Sequence, residues 1–181
     1  MSGVVRLRSL PSFLTKWLVP RLPRLLARFP EIELHAQAED SSLSLRDGEF
    51  DLAIDLNDGT YPGFQTTRLM EEEIFPVCSP ALMRDRPPLQ RPEDLRHYPL
   101  LHDITAWRGS HEYAEWEHYL GAIGAPHVEI RRGYTFNRNH ITIEAAIAGV
   151  GVAIARRTLT TNELESGLLV KPFNRRVRTG K

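Results

Sequence analysis

The sequence predicts an α/β fold arranged as two small lobes. Three observations carry that expectation. Residues 4–56 read strand–helix–strand–helix–strand, an order that favours a parallel sheet with right-handed crossovers. A turn-rich run, Asn57-Asp58-Gly59-Thr60-Tyr61-Pro62-Gly63, then interrupts the pattern before a fresh apolar strand at residues 74–78. The third is Glu144-Ala145-Ala146-Ile147-Ala148-Gly149-Val150-Gly151-Val152-Ala153-Ile154-Ala155-Arg156-Arg157, a short helix leaving through glycine into a buried strand.

The elements follow in order. Residues 4–8 form the first expected strand, with Val4, Val5 and Leu7 apolar. Ser9-Leu10-Pro11-Ser12 is a turn, and either serine fits the cap of the next helix. That helix runs to about Phe29, with Trp17, Leu18, Leu22, Leu25, Leu26 and Phe29 at three-to-four spacing. Pro20 and Pro23 lack backbone donors and should bend or split it. Residues 31–36 are the second strand, 40–46 a short helix and 50–56 the third strand.

Residues 74–78 cross into the second lobe, and the proline- and charge-rich residues 84–96 are expected to be irregular. Strands are expected near 100–101 and at 128–134, a helix at 113–120 and a shorter one at 159–164. Gly149 suits the left-handed residue that ends a helix, and Gly151 permits a close backbone turn. Residues 168–173 return towards the first lobe. Lobe I is therefore expected over 1–74 with 169–181, and lobe II over 75–168.

Composition narrows the function. A chain of 181 residues buries about 70% of its unfolded surface. Lys+Arg and Asp+Glu both number 23, so the basic excess of a free-standing nucleic-acid module is missing. A single cysteine, Cys78, excludes an internal disulfide and suits a reducing compartment. No apolar run approaches the ~20 residues that span a bilayer, and residues 1–6 lack a secretory signal's apolar core. The expectation is a cytoplasmic protein with no membrane contact.

Several blocks resemble the effector-binding domain of LysR-type transcriptional regulators. They are the glycine-exit unit above, Ser12-Phe13-Leu14-Thr15-Lys16-Trp17-Leu18-Val19-Pro20-Arg21-Leu22, and Phe29-Pro30-Glu31-Ile32-Glu33-Leu34. Gly48-Glu49-Phe50-Asp51-Leu52-Ala53-Ile54, Phe75-Pro76-Val77-Cys78-Ser79-Pro80 and Gly167-Leu168-Leu169-Val170-Lys171-Pro172-Phe173 complete the set, in the family's order. The wording is closest to the branch that includes the glycine-cleavage activators.

The resemblance implies two Rossmann-like lobes facing a central cleft, similar to the type II periplasmic binding proteins. It implies a small-molecule effector in that cleft, a homodimer or tetramer, and no cofactor. DNA would be reached only through an N-terminal winged helix-turn-helix that this chain lacks, as it lacks the family's final strand and helix. The helix carrying Trp17, Leu18, Leu22 and Leu25 is a candidate dimer face, with intramolecular core as the equal alternative. A stand-alone small-molecule carrier of the same fold, with no DNA role, is the competing function.

Ligands of such folds sit at the carboxyl ends of strands and at helix N-termini. Ser9, Ser12 and Phe13 follow the first strand, Glu39, Asp40 and Ser41 the second, and Asp55 the third. In lobe II, Phe136, Asn137 and Arg138 precede the glycine-exit helix, Cys78 and Ser79 lie at the crossing, and Gly151 opens the last strand. Plainer roles exist for most: caps for Ser12, Ser41 and either Asn137 or Asn139, core for Phe136, solvent for Arg138. The resembling branch often has arginine where this chain has Asp55. With Glu39 and Asp40 it would make an acidic wall, implying an effector that is amine-bearing, or amino-acid-like with Arg138 taking its carboxylate.

Two further chemistries are weighed and set aside. His97, His102, Asp103, His111, Glu112, Glu115 and His118 gather in one region, but lack zinc-ligand spacing, so a solvated polar face is expected and no metal site. Cys78 is the best candidate nucleophile, yet no elbow, P-loop or dinucleotide fingerprint accompanies it, so no enzyme is expected.

Overall fold

A computed structural model describes residues 3–39, 50–57, 59–107 and 109–180. The chain divides into two compact units, Met1–Asn57 and Asp58–Lys181.

The first unit is a three-stranded sheet in the order β2-β1-β3, with β1 (Gly3–Ser9), β2 (Ile32–Ala38) and β3 (Leu52–Ile54). Both pairings are parallel, with Leu7 beside Ala36 on one side and Leu52 on the other. The expected single helix is divided into α1 (Pro11–Phe13), a π turn (Leu14–Leu18), a 3₁₀ turn (Val19–Arg21) and α2 (Leu22–Arg28). Pro20 and Pro23 fall within the 3₁₀ turn and α2, where their missing donors break the regular ladder. Leu14 and Leu18 bury against Leu7 of β1, with Trp17, Leu22, Leu34 and Ile54 packed around them. Leu18 thus belongs to this core, while Val19 and Leu26 of the same helical stretch are exposed.

Neither serine caps this helix. Leu10 holds the cap position without a side-chain bond, and Ser12 is buried inside α1. The short helix expected at 40–46 lies outside the described residues.

The second unit is a five-stranded sheet in the order β6-β5-β7-β4-β8. Its strands are β4 (Glu73–Val77), β5 (Leu100–Asp103), β6 (Tyr134–Phe136), β7 (Val152–Arg156) and β8 (Val177–Arg178). β5 runs parallel to both β6 and β7, whereas β4 runs antiparallel to β7 and β8. All five residues of β7 are buried, as a strand covered on both faces requires. Period-two alternation sends Ile74, Leu100, Val152 and Ile154 into one core, with Trp116, Tyr119 and Leu120 of α3 (Ala114–Ala122). Phe75, Val77, Leu101, Ala153 and Ala155 enter the other, with Ile143 and Ala146 of α4 (Asn139–Ile147). A last helix, α5 (Arg157–Glu165), follows β7 directly.

Three expectations change here. The strand expected at 128–134 forms only at Tyr134–Phe136. Upstream of it, Arg132 turns inward and donates to the carbonyls of Tyr98 and Leu95, so this segment packs rather than pairs. Residues 84–96, expected to be irregular, contain a 3₁₀ turn, Pro92–His97, opened by Asp94, which accepts the N–H groups of Gln90 and Arg91. Residues 169–181, expected to return to the first lobe, join the second sheet: Val170 bridges Cys78, and Val177 pairs with Ile74 of β4.

Candidate functional site

Parallel strands put their carboxyl ends on one edge, and in the first unit the candidates collect there. Ser9 pairs with both Ala38 and Ile54. Its hydroxyl donates to the Ile54 carbonyl at 2.8 Å, and its own carbonyl accepts the Glu39 N–H at 3.0 Å. Glu39 and Asp55 therefore follow the two outer strands, on either side of Leu10. Phe13, half-buried in α1, stacks on Trp17 with ring centroids 4.9 Å apart.

The acidic wall is less acidic than expected. Arg8 lies 3.2 Å from the Glu39 carboxylate and neutralises it in place. Asp55 accepts the N–H of Leu56 at 2.8 Å. Asp40 and Ser41 lie outside the described residues.

In the second unit the structure separates the candidates into two groups. Because β4 runs against β7, Val77 lies beside Ala153 and Ile74 beside Arg156. Cys78, Ser79 and Gly151 thus sit at the end where β7 begins, and Phe136, Asn137 and Arg138 at the carboxyl ends of β5, β6 and β7. Packing explains the first group. Cys78 is buried and its N–H donates to Val170; burial pushes its thiol up to about 11. The Ser79 hydroxyl accepts the Leu82 N–H at 3.3 Å, capping a 3₁₀ turn. A Cβ on Gly151 would stand 2.6 Å from the Pro99 carbonyl oxygen.

The second group is built differently. Arg138 holds the cap position of α4 without a side-chain bond, so neither Asn137 nor Asn139 is the cap. The Asn137 carbonyl accepts from the Thr105 hydroxyl at 2.8 Å and from Arg138 Nη1 at 2.6 Å. Phe136, half-buried, packs on the core of α4. Asn139, the first residue of α4, is only 3% exposed, and neither its Oδ1 nor its Nδ2 has a partner among the described residues. Sequence offered Asn139 mainly as a cap; nothing local announced its burial.

A buried charge cluster at the same edge went unread. Arg156, the last residue of β7, lies 2.9 Å from Glu115 of α3 and 3.9 Å from Asp103 at the end of β5. All three are buried. Glu115, expected on a solvated histidine-rich face, is instead the core partner of an arginine 41 residues away. The histidines divide: His118 faces the Arg178 carbonyl at 3.1 Å, His111 pairs with Glu117, and buried His102 faces the Arg132 carbonyl at 2.9 Å. Among the described residues no His/Cys/Asp/Glu group is placed to hold a metal ion, and no helix is long and apolar enough to cross a membrane.

Two α/β units with candidate ligand groups at strand carboxyl ends define a small-molecule-binding class of domain. The chain belongs to the LysR substrate binding domain family, whose model matches residues 1–179. It is 36% identical over 172 residues to the glycine cleavage system transcriptional activator of Escherichia coli K12, covering 95% of this chain and 54% of that protein. It is 37% identical over 179 residues to the HTH-type transcriptional regulator DsdC of the same organism, covering 96% and 55%. The chain thus spans about half the length of the curated relatives it matches.

The effector domain of the transcriptional regulator AmpR of Pseudomonas aeruginosa superposes with a TM-score of 0.80 at 29% identity, covering 98% of this chain and 82% of that one. The expected α/β fold, like that of the type II periplasmic binding proteins, is the fold of these effector domains. The stand-alone carrier finds no support among these relatives, which are named as transcriptional regulators.

Proposed function

We propose that this chain is the effector-sensing and oligomerisation part of a cytoplasmic LysR-type transcriptional regulator with no catalytic activity. In the whole protein a homodimer or tetramer would reach DNA through a separate winged helix-turn-helix. The supporting observation is Asn139, a buried amide beside the Phe136–Arg138 segment that has no hydrogen-bond partner among the described residues. Leaving such a group unpaired costs about 1–3 kcal/mol, and a bound polar ligand offsets that cost. Ligand capture is the reading that gives this amide a use. The effector then favours one conformation of the domain by its differential affinity, which is all that regulation requires.

The effector is amino-acid-like. Arg138 with Asn139, at the carboxyl edge of the second sheet, receives its carboxylate. The relative named for the glycine cleavage system fits an amino-acid signal. Isothermal titration against amino acids, polyamines and dicarboxylates tests it: saturable binding of an amino acid, lost in Arg138→Gln, is expected. Tight binding of a dicarboxylate alone overturns the assignment.

A further inference from the structure

The charged groups at the carboxyl edge of the second sheet are out of balance. Arg156 donates through Nε and Nη2 to one oxygen of Glu115, at 3.3 and 2.9 Å, and through Nη2 to the Ala106 carbonyl. Asp103 lies 3.9 Å from the same guanidinium, and buried Glu72 adds its charge to the pair. Three buried carboxylates thus share one buried cation. A buried anion without compensation is costly, so such a cluster lowers its free energy by taking up a proton.

Hydrogen bonding decides where that proton resides. Asp103 accepts the Thr105 N–H through Oδ1 at 2.9 Å, with the Thr105 hydroxyl oxygen 3.0 Å from the same atom. Glu72 accepts the N–H groups of Glu73 and Thr158, at 3.1 Å each. Each thus has donors of its own besides Arg156. Among the described residues Glu115 is bonded by Arg156 alone. Burial first, then the charges of Asp103 and Glu72 acting against the pull of Arg156, lift its carboxyl to about 7.

The cluster also touches the ligand segment. Thr105, bonded to Asp103, donates to the Asn137 carbonyl at 2.8 Å, and the neighbouring Ile104 N–H donates to Phe136 at 2.9 Å. We propose that Glu115, Arg156 and Asp103 form a proton-linked positioning device: gain or loss of one proton at Glu115 changes how firmly Asp103 and Thr105 hold Phe136–Arg138. Its bearing on effector binding rests on the function proposed above; the device itself does not.

The sign follows from linkage. The folded value, about 7, lies above the ordinary 4.5, so the folded chain keeps a proton that the unfolded chain releases. This contribution to stability is complete below 4.5 and disappears as pH rises through 7. Between about pH 5 and about pH 8 the unfolding constant of the wild type should rise on the order of a hundredfold more than that of Glu115→Gln. Protection of the Ile104 and Thr105 amides against hydrogen exchange should change with pH in the wild type and stay level in Glu115→Gln.

Parallel pH dependences in the two proteins overturn the device. Should Glu115→Gln fail to fold, a carbon NMR titration of the wild-type Glu115 carboxyl decides: a midpoint near 7 supports it, and one in the ordinary range near 4.5 overturns it. No ligand enters either measurement, so failure here and failure of the effector assignment are distinguishable.

Discussion

Gly151 presses against Pro99: a methyl group on it would lie 2.6 Å from the Pro99 carbonyl oxygen, which already accepts the Val152 N–H at 2.9 Å. The start of β7 is thereby clamped to the entry of β5, with Leu101 filling the remaining space. Gly151→Ala should destabilise the chain by about 1–3 kcal/mol through overpacking, read as a lower urea midpoint with unchanged slope. An unchanged midpoint would show that the contact relaxes without cost. Gly133→Ala should cost more, because it adds strain at φ +103° to a clash with Leu100 backbone.

Arg156 is the only cation bonded to Glu115 among the described residues, and Arg156→Met would leave buried carboxylates without compensation. Removing one partner of such a group costs about 3–5 kcal/mol. Circular dichroism with urea at neutral pH should show the variant much weakened. Full stability at neutral pH would mean that water reaches the cluster.

How much of this was visible beforehand depends on the range of the interaction. Glycine chemistry is local, so the exit of α4 through Gly149, at φ +79°, and the buried strand after it were legible. The prolines announced a broken helix, but the π turn that reconnects Leu14–Leu18 has no sequence marker. Val128 and Ile130 alternate as a strand would, and the error came from Arg132, whose bonds to Leu95 and Tyr98 span more than 30 residues. Glu115 and Arg156 fail in the same way: each looks like surface until the fold joins them. The carboxyl-edge rule anticipated that Ser9, Glu39, Asp55 and Phe136 stand at strand ends, because that follows from topology. It could not foresee that Cys78 and Gly151 belong to the other edge, since that depends on the antiparallel course of β4.

Asn139 should separate stability from binding. Asn139→Leu removes an amide that has no partner among the described residues, so the folded chain should hold or gain about 1 kcal/mol. Any amino acid that raises the wild-type Tm should lose that effect in the variant. A destabilised variant with an intact ligand response would assign Asn139 to structure instead.

Cys78 should be chemically silent while the chain is folded. Its thiol is raised from 9.0 to about 11, so little thiolate forms at pH 8, and the sulfur is fully enclosed. Reaction with an aromatic disulfide reagent should be slow in native buffer and complete within the dead time in denaturant. Fast native labelling would reveal local opening around the Cys78–Val170 bridge.

The two residues of β8 do more than extend a sheet. They lie on the outer side of β4, at Glu73 and Ile74, where an uncovered ladder would offer unpaired amides to any passing chain. Arg176 and Arg178 ring that border with positive charge, held by Glu73 and Glu71. This pairing covers that border: removing Val177 and Arg178 should make the chain clump at high concentration, read by light scattering.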